Sequence, residues 1–280
     1  MKKYELTNET ITIDNSKTLY RIRALVDIEI YGVKIGDLGG YIEKEENLSH
    51  CGDAWVSGDA MVYGGAMVYG NARLTDNAMV SDDALVYGGA IVAGNAKISG
   101  NARISGDAMV YDNAVISDHA SVTDNAWVYD YAVVSGYAYI SCYAVVYGYS
   151  RVSGNADILG NAKVYGTAMV SGDATITGNA RVSGDARAYG DAHISGNACV
   201  SGDADINDED HVLTIGPIGS REDTTTFFRT KENIIKVKCG CFYGTIDEFL
   251  AKVELVHGNN KHGKVYRIAA ELAKAQIELE

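Results

Sequence analysis

The stretch W-V-S-G-D-A-M-V-Y-G-G-A-M-V-Y-G-N-A, running from Trp55 to Ala72, decides the fold. It is three hexapeptides in one frame, and the frame continues without a slip to Asp205-Ile206-Asn207. An aliphatic residue falls at position 56 and at every sixth position to 206, 26 positions of which 24 are Val or Ile; Leu74 and Ala188 are the exceptions. Four residues after each aliphatic except the last stands Ala, from Ala60 to Ala204, with Ser150 the single departure. A strict short period of this kind is the signature of a solenoid.

Strand alternation turns the period into geometry. In a short strand x-V-S the middle residue is buried and its neighbours face out. Gly followed by Asn or Asp supplies the corner, because Gly accepts positive φ and Asx tolerates it. Ala sits inside where the corner leaves no room for a larger side chain. A short strand and a corner, repeated, coil into a parallel β-helix whose turns hydrogen-bond to one another. The single proline, Pro217, lies outside the array, as an unbroken ladder requires.

Composition narrows the function classes. The 280 residues carry 24 basic and 37 acidic side chains, net −13, which excludes a generally basic nucleic-acid binder. Apolar residues make up 47%, enough for a core. The 31 glycines do not follow the every-third-residue spacing of collagen. No apolar run approaches the roughly 20 residues needed to cross a bilayer, so no membrane partner is expected. The first residues, Met1-Lys2-Lys3-Tyr4-Glu5, lack the apolar stretch of a signal peptide. Five cysteines without an export signal point to a reducing cytoplasm.

The array resembles the hexapeptide repeat of left-handed parallel β-helix proteins, in which three hexads make one 18-residue triangular turn. The resemblance implies an all-β-dominated chain: a single-stranded, left-handed triangular prism of nearly nine coils over residues 48–207. Left-handedness comes from the resemblance alone, since parallel crossovers are ordinarily right-handed. Residues 1–47 read as a small β cap over the first coil, because an open coil end exposes an aggregation-prone edge. Residues 208–280 read as a small α+β domain. Its expected strands are Thr225–Arg229 and Ile234–Cys239, a hairpin around Lys231-Glu232-Asn233. Thr245-Ile246-Asp247-Glu248 is a capping box that opens a helix with Phe249, Leu250, Val253 and Val256 on its apolar face. A second helix is expected to bury Val265, Ile268, Leu272 and Ile277. The segment D-L-G-G-Y-I (Asp37 to Ile42) followed by N-L-S-H-C-G-D-A-W-V (Asn47 to Val56) looks like hexapeptide proteins of phages and prophages. It is also similar to bacterial YdcK-like proteins classed with the acyltransferases. I-G-P-I-G-S-R, T-T-T-F-F and G-C-F-Y-G-T-I-D-E-F resemble a tail found on phage-encoded proteins.

Familiar hexapeptide enzymes are acyltransferases, typically trimers with a catalytic His and an acyl-CoA between adjacent prisms. This array has no inserted loop and holds only His119, at a corner, and His193, at an outward strand position. His119 is the candidate general base under that alternative, with acetyl-CoA as its cofactor; otherwise no cofactor is expected. The competing reading of His119 is an exposed polar corner residue. A γ-type carbonic anhydrase needs three His ligands for zinc, which two distant histidines do not supply. Outside the array, Cys239-x-Cys241 with His257-x4-His262 offers a weak metal reading against that of an ordinary buried thiol. Gly216 to Arg221 offers a weak anion-binding turn with Ser220 and Arg221, against that of a plain linker.

The larger signal is aromatic. Residues 18 apart stack, so Tyr111, Tyr129, Tyr147 and Tyr165 should form a ladder. Corner slots that elsewhere hold Asn or Asp hold Tyr131, Tyr137, Tyr143 and Tyr149, with Tyr131 and Tyr149 sharing one corner; seven of the 19 tyrosines fall between 129 and 149. The outward strand slots nearby are apolar: Met109, Val115, Trp127, Val133, Tyr139 and Val145. Elsewhere those slots often carry charge, as at Lys97, Arg103 and Lys163. A tyrosine ladder alone is explained by strand stacking, whereas tyrosines at three corners point to an interface. A second copy of the chain, a trimer by resemblance, is the first candidate partner, and a host protein or small ligand the second. Residues 51–206 also hold 16 Asp against 7 Lys or Arg, a spacing that could imitate a phosphate backbone or simply mark good corner residues.

Overall fold

The computed structural model describes residues 2–14 and 16–279. The chain divides into two compact units, Met1–Gly148 and Tyr149–Glu280. Both are built on parallel β-solenoid turns, about nine in all.

In the first unit the turns form three ladders of two-residue strands. One holds Trp55–Val56, Arg73–Leu74, Ile91–Val92, Met109–Val110, Trp127–Val128 and Val145–Val146, each paired in parallel with the strand 18 residues on. A second runs through Met61–Val62, Met79–Val80, Lys97–Ile98, Val115–Ile116 and Val133–Val134. The third runs from Met67–Val68 to Tyr139–Ile140. The outward residues donate their N–H to the carbonyl seventeen residues ahead, as from Met109 to Ala126 (2.9 Å) and Tyr111 to Val128 (3.1 Å). The inner Val and Ile side chains and the corner alanines are buried throughout. Each buried Val contributes about 2 kcal/mol of apolar transfer.

The corners show why Asp is there. Asp76, Asp82, Asp112, Asp118, Asp124 and Asp130 all adopt left-handed φ values of 57–59°. In each, Oδ2 accepts a hydrogen bond from the backbone N–H 18 residues on: Gly94, Gly100, Asp130, Gly136, Cys142 and Gly148, at 3.0–3.4 Å. The carboxylate therefore ties a corner to its successor while tolerating a backbone that costs most L-residues about 1–2 kcal/mol. The next corner residue along carries an amide ladder instead, Asn77 to Asn95 (3.2 Å) to Asn113 (3.3 Å).

The N-terminal residues cover the first turn. Strands Tyr4–Ile13 and Lys17–Ala24 form an antiparallel hairpin, and Leu38–Ile42 pairs antiparallel with the second and in parallel with Met61–Val62. Two glycines make that switch possible. A Cβ at Gly39 would stand 2.6 Å from the Val56 carbonyl, and one at Gly40 2.5 Å from that of Ala60. The upward carbonyls of the first turn are capped by buried side chains. Lys3 Nζ donates to Gly52 O and Ala54 O (3.1 and 2.6 Å), and Asn47 Nδ2 to Gly64 O and Ala66 O (3.2 and 2.8 Å). Burial pulls the Lys3 ammonium down to about 8, opposed by Asp53 and Cys51.

In the second unit the ladders run through Arg151, Met169, Arg187 and Asp205; Asp157, Thr175 and His193; and Lys163, Arg181 and Cys199. Glycine replaces Asp at every left-handed corner here. Ser150, the departure from Ala, is fully buried and its hydroxyl donates to Val164 O (3.5 Å).

The last turn is covered by a four-stranded antiparallel sheet, in the order Val212–Ile218, Asp223–Arg229, Ile235–Cys239 and Phe242–Thr245. Two strands of this sheet go beyond the expected hairpin: Val212–Ile218, whose pattern Gly216-Pro217 interrupts, and Phe242–Thr245, which runs straight into the helix start. Lys236 Nζ clasps Asp203 (2.8 Å), and the Thr226 hydroxyl accepts from Cys199 N (3.0 Å). Two helices, α1 (Ile246–His257) and α2 (Lys261–Gln276), pack on the sheet through Phe227, Val237, Phe249 and Val253. The Thr245/Glu248 capping box opens α1 as expected.

The buried face of α2 differs from expectation. It consists of Gly263, Tyr266, Ala269, Ala270 and Ala273, followed by Ile277, while Ile268 and Leu272 are 70% and 49% exposed and Val265 is half-buried. Small residues allow a close approach around the single large Tyr266, so the stripe of alanines outcompetes the larger aliphatics. On α1, Val256 is likewise exposed rather than buried.

The corner geometry predicts an asymmetric mutational response. Asp118→Gly should cost about 1 kcal/mol, the lost hydrogen bond alone. Asp118→Ala should cost about 2–3 kcal/mol, because the left-handed penalty is added. Urea unfolding midpoints measure the difference; equal losses for the two variants would contradict it.

Candidate functional site

In the first unit the turns from Met109 to Tyr147 carry Tyr111, Trp127, Tyr129, Tyr131, Tyr137, Tyr139, Tyr143 and Tyr147. Tyr111, Tyr129 and Tyr147 follow three successive strands of one ladder, and their rings stack at 4.9 and 5.0 Å, tilted by 3° and 8°. That spacing is the distance between turns. Burial, reinforced by Tyr129 and by the Asp112 and Asp130 carboxylates, pushes the Tyr111 phenol up to about 12. Burial raises Tyr129 too, aided by Tyr147 and the same two carboxylates. These rings stay neutral and half-buried, so they brace the face. Tyr69 and Tyr87 form the same stack at 4.9 Å on another ladder, so stacking by itself does not distinguish a site.

The corners do distinguish one. Tyr131 takes the slot that follows Asn113 in the amide ladder, and Tyr137 and Tyr143 take the equivalent slots at the other two corners of that turn. All three are 52–64% exposed. Between them, Trp127 (43% exposed) lies on its strand between Met109 and Val145, and Tyr139 (40%) accepts a hydrogen bond from the Thr123 hydroxyl at 3.3 Å. Outward strand positions 109, 115, 121, 127, 133, 139 and 145 carry no charge. An aromatic, half-exposed belt whose outward strand slots carry no charge suits burial against another surface.

The remaining candidates fall in separate places. The His119 ring lies face to face with Tyr137, centroids 4.6 Å apart and tilted by 4°, which makes it an extension of the belt. In the second unit Tyr149 is 64% exposed, Tyr165 half-buried and His193 exposed on its strand. Ser220, Arg221, Cys239, Cys241 and His257 converge on one cleft of about 250 Å³ in the C-terminal part. His262 lies with its ring centroid 6.0 Å from that of His257, outside the lining. Among the described residues no group of three or more His, Cys, Asp or Glu side chains is placed to hold a metal ion. Lys252 and Tyr266, which also line the cleft, carry no motif; only the helical spacing of Phe249, Lys252 and Val253 hints at Lys252.

The YdcK β-solenoid repeat family model matches residues 54–70, 96–111 and 102–122, all within the first unit. In those turns the chain is similar to that repeat, in keeping with the parallel β-solenoid fold. No curated protein matches the chain. No helix among the described residues is long and apolar enough to cross a membrane.

The two tryptophans report on the belt separately, since Trp55 is 2% exposed and Trp127 43%. At dilutions where the chain is monomeric, Trp55→Phe should leave red-shifted emission quenched severalfold more by acrylamide than that of Trp127→Phe. Equal quenching of the two variants would contradict the exposed placement of Trp127.

Proposed function

We propose that this protein is a non-catalytic β-solenoid scaffold of phage or prophage type that associates with further copies of itself through the aromatic belt of its first unit. It works in the bacterial cytoplasm, in keeping with five cysteines that are all free. The observation that carries the reading is the replacement of corner Asn and Asp by Tyr131, Tyr137 and Tyr143 within one turn. Stacking against neighbours does not require them at three corners, and each gives up a polar corner side chain for an exposed phenol ring. Tyr and Trp bury large area at low entropic cost and dominate interface energetics. A closed trimer needs only two complementary patches per subunit, and a belt that runs around the turn supplies them.

A charge-mimic role gains less support. The oxygens of six corner carboxylates already accept hydrogen bonds from the next turn, so their regular spacing follows from the ladder.

Sedimentation velocity tests the reading. The wild-type chain should run as a concentration-dependent oligomer, and Tyr131/Tyr137/Tyr143→Ser should weaken association at least about 100-fold, close to 3 kcal/mol. A wild type that stays monomeric at about 100 μM, or a triple variant that assembles as tightly, would overturn it.

A further inference from the structure

The cleft in the C-terminal part of the second unit inverts the charge of the molecule around it. The chain carries a net −13, yet the cleft is lined by Arg221, Lys252 and His257 and by no Asp or Glu. Among the described residues neither Arg221 nor Lys252 makes an ion pair or a side-chain hydrogen bond, so both cationic ends are available. The floor is apolar: Phe242, Phe249 and Val253 line it, and Phe249 and Val253 belong to the buried core.

The wall is built rather than incidental. The Ser220-Arg221 turn lies directly on Tyr266, because Gly219, with φ +75°, has no Cβ to collide with that ring. Tyr266 is itself buried and makes edge contact with Phe249, ring centroids 5.5 Å apart. On the other side the Arg221 guanidinium leans over the Gly240-Cys241 hairpin turn, where a Cβ on Gly240 would stand 3.2 Å from Nη1. The turn that presents Arg221 is thus fixed between a buried tyrosine and a hairpin.

Size sets the class of ligand. A dry cavity of about 150 Å³ accepts a benzene ring. At about 250 Å³ the cleft has room for one ring or a branched aliphatic chain with a charged head. We propose that this cleft binds a small organic anion, its carboxylate or phosphate held by Arg221 with Lys252 and His257 and its apolar body resting on Phe242, Phe249 and Val253. Planar guanidinium groups are suited to such heads because they donate two parallel hydrogen bonds. The site is independent of the aromatic belt, which lies in the other unit.

An NMR titration of the full chain with phenyl phosphate tests this, read at the amides of residues 219–221 and 239–242. Saturable shifts with half-saturation near or below about 1 mM are expected, weakened at least tenfold by Arg221→Gln. Inorganic phosphate should bind at least about tenfold more weakly, because it cannot use the apolar floor. Tyr131/Tyr137/Tyr143→Ser should bind phenyl phosphate as the wild type does, which separates this site from the assembly surface. Absence of saturable shifts at about 10 mM, equal affinity for inorganic phosphate, or binding unchanged in Arg221→Gln would each overturn the proposal. Should Arg221→Gln lower the thermal midpoint, Lys252→Gln on exposed helix surface replaces it, with the same weakening expected and unchanged binding equally fatal.

Discussion

The hydrogen bond from outward strand residues to the carbonyl seventeen residues ahead, as from Met109 to Ala126, is the constraint on which the other features rest. It fixes one turn at eighteen residues, and so fixes which side chains lie above one another. The same register that stacks Val on Val inside stacks Tyr111 on Tyr129 outside and aligns the corners. An end turn leaves backbone groups without a neighbour, and each unit covers its own end turn by different means. At the first turn, Lys3 and Asn47 reach in with buried donors to carbonyls that have no preceding turn. At the last turn an antiparallel sheet is laid across it and held by Lys236 on Asp203 and by Arg229 beside Asp205.

The corners show how one geometric demand is met by two chemistries. Every turn needs a left-handed residue there. The first unit often uses Asp, whose carboxylate binds the next corner amide, and the second uses Gly throughout. The acidity of the array is thereby tied to its architecture. Against that background the charge-free outward strand slots around Trp127 and the cleft lined by Arg221 and Lys252 stand out.

Much of this was legible in the sequence, because a period of six leaves few alternatives. The inner Val and Ala positions, the Tyr111–Tyr129–Tyr147 ladder and the corner exposure of Tyr131, Tyr137 and Tyr143 all follow from counting in sixes and eighteens. What escaped the count depends on contacts that no period records. The α2 face was misassigned because Ile268 and Leu272 are larger than the alanines that in fact pack, and closeness of approach is not written in hydrophobicity. Ser220-Arg221 and Cys239-x-Cys241 were each weak signals separately; they line one cleft only because the Gly240-Cys241 hairpin folds back beneath the Arg221 turn. The caps by Lys3 and Asn47 left no motif at all.

Amide hydrogen exchange tests the eighteen-residue ladder most directly. The account predicts that the amides of Met109, Tyr111, Trp127 and Tyr129, each donating to a carbonyl of the next turn, exchange at least about a thousandfold more slowly than unprotected amides. Exchange at those positions as fast as in an exposed loop would contradict it.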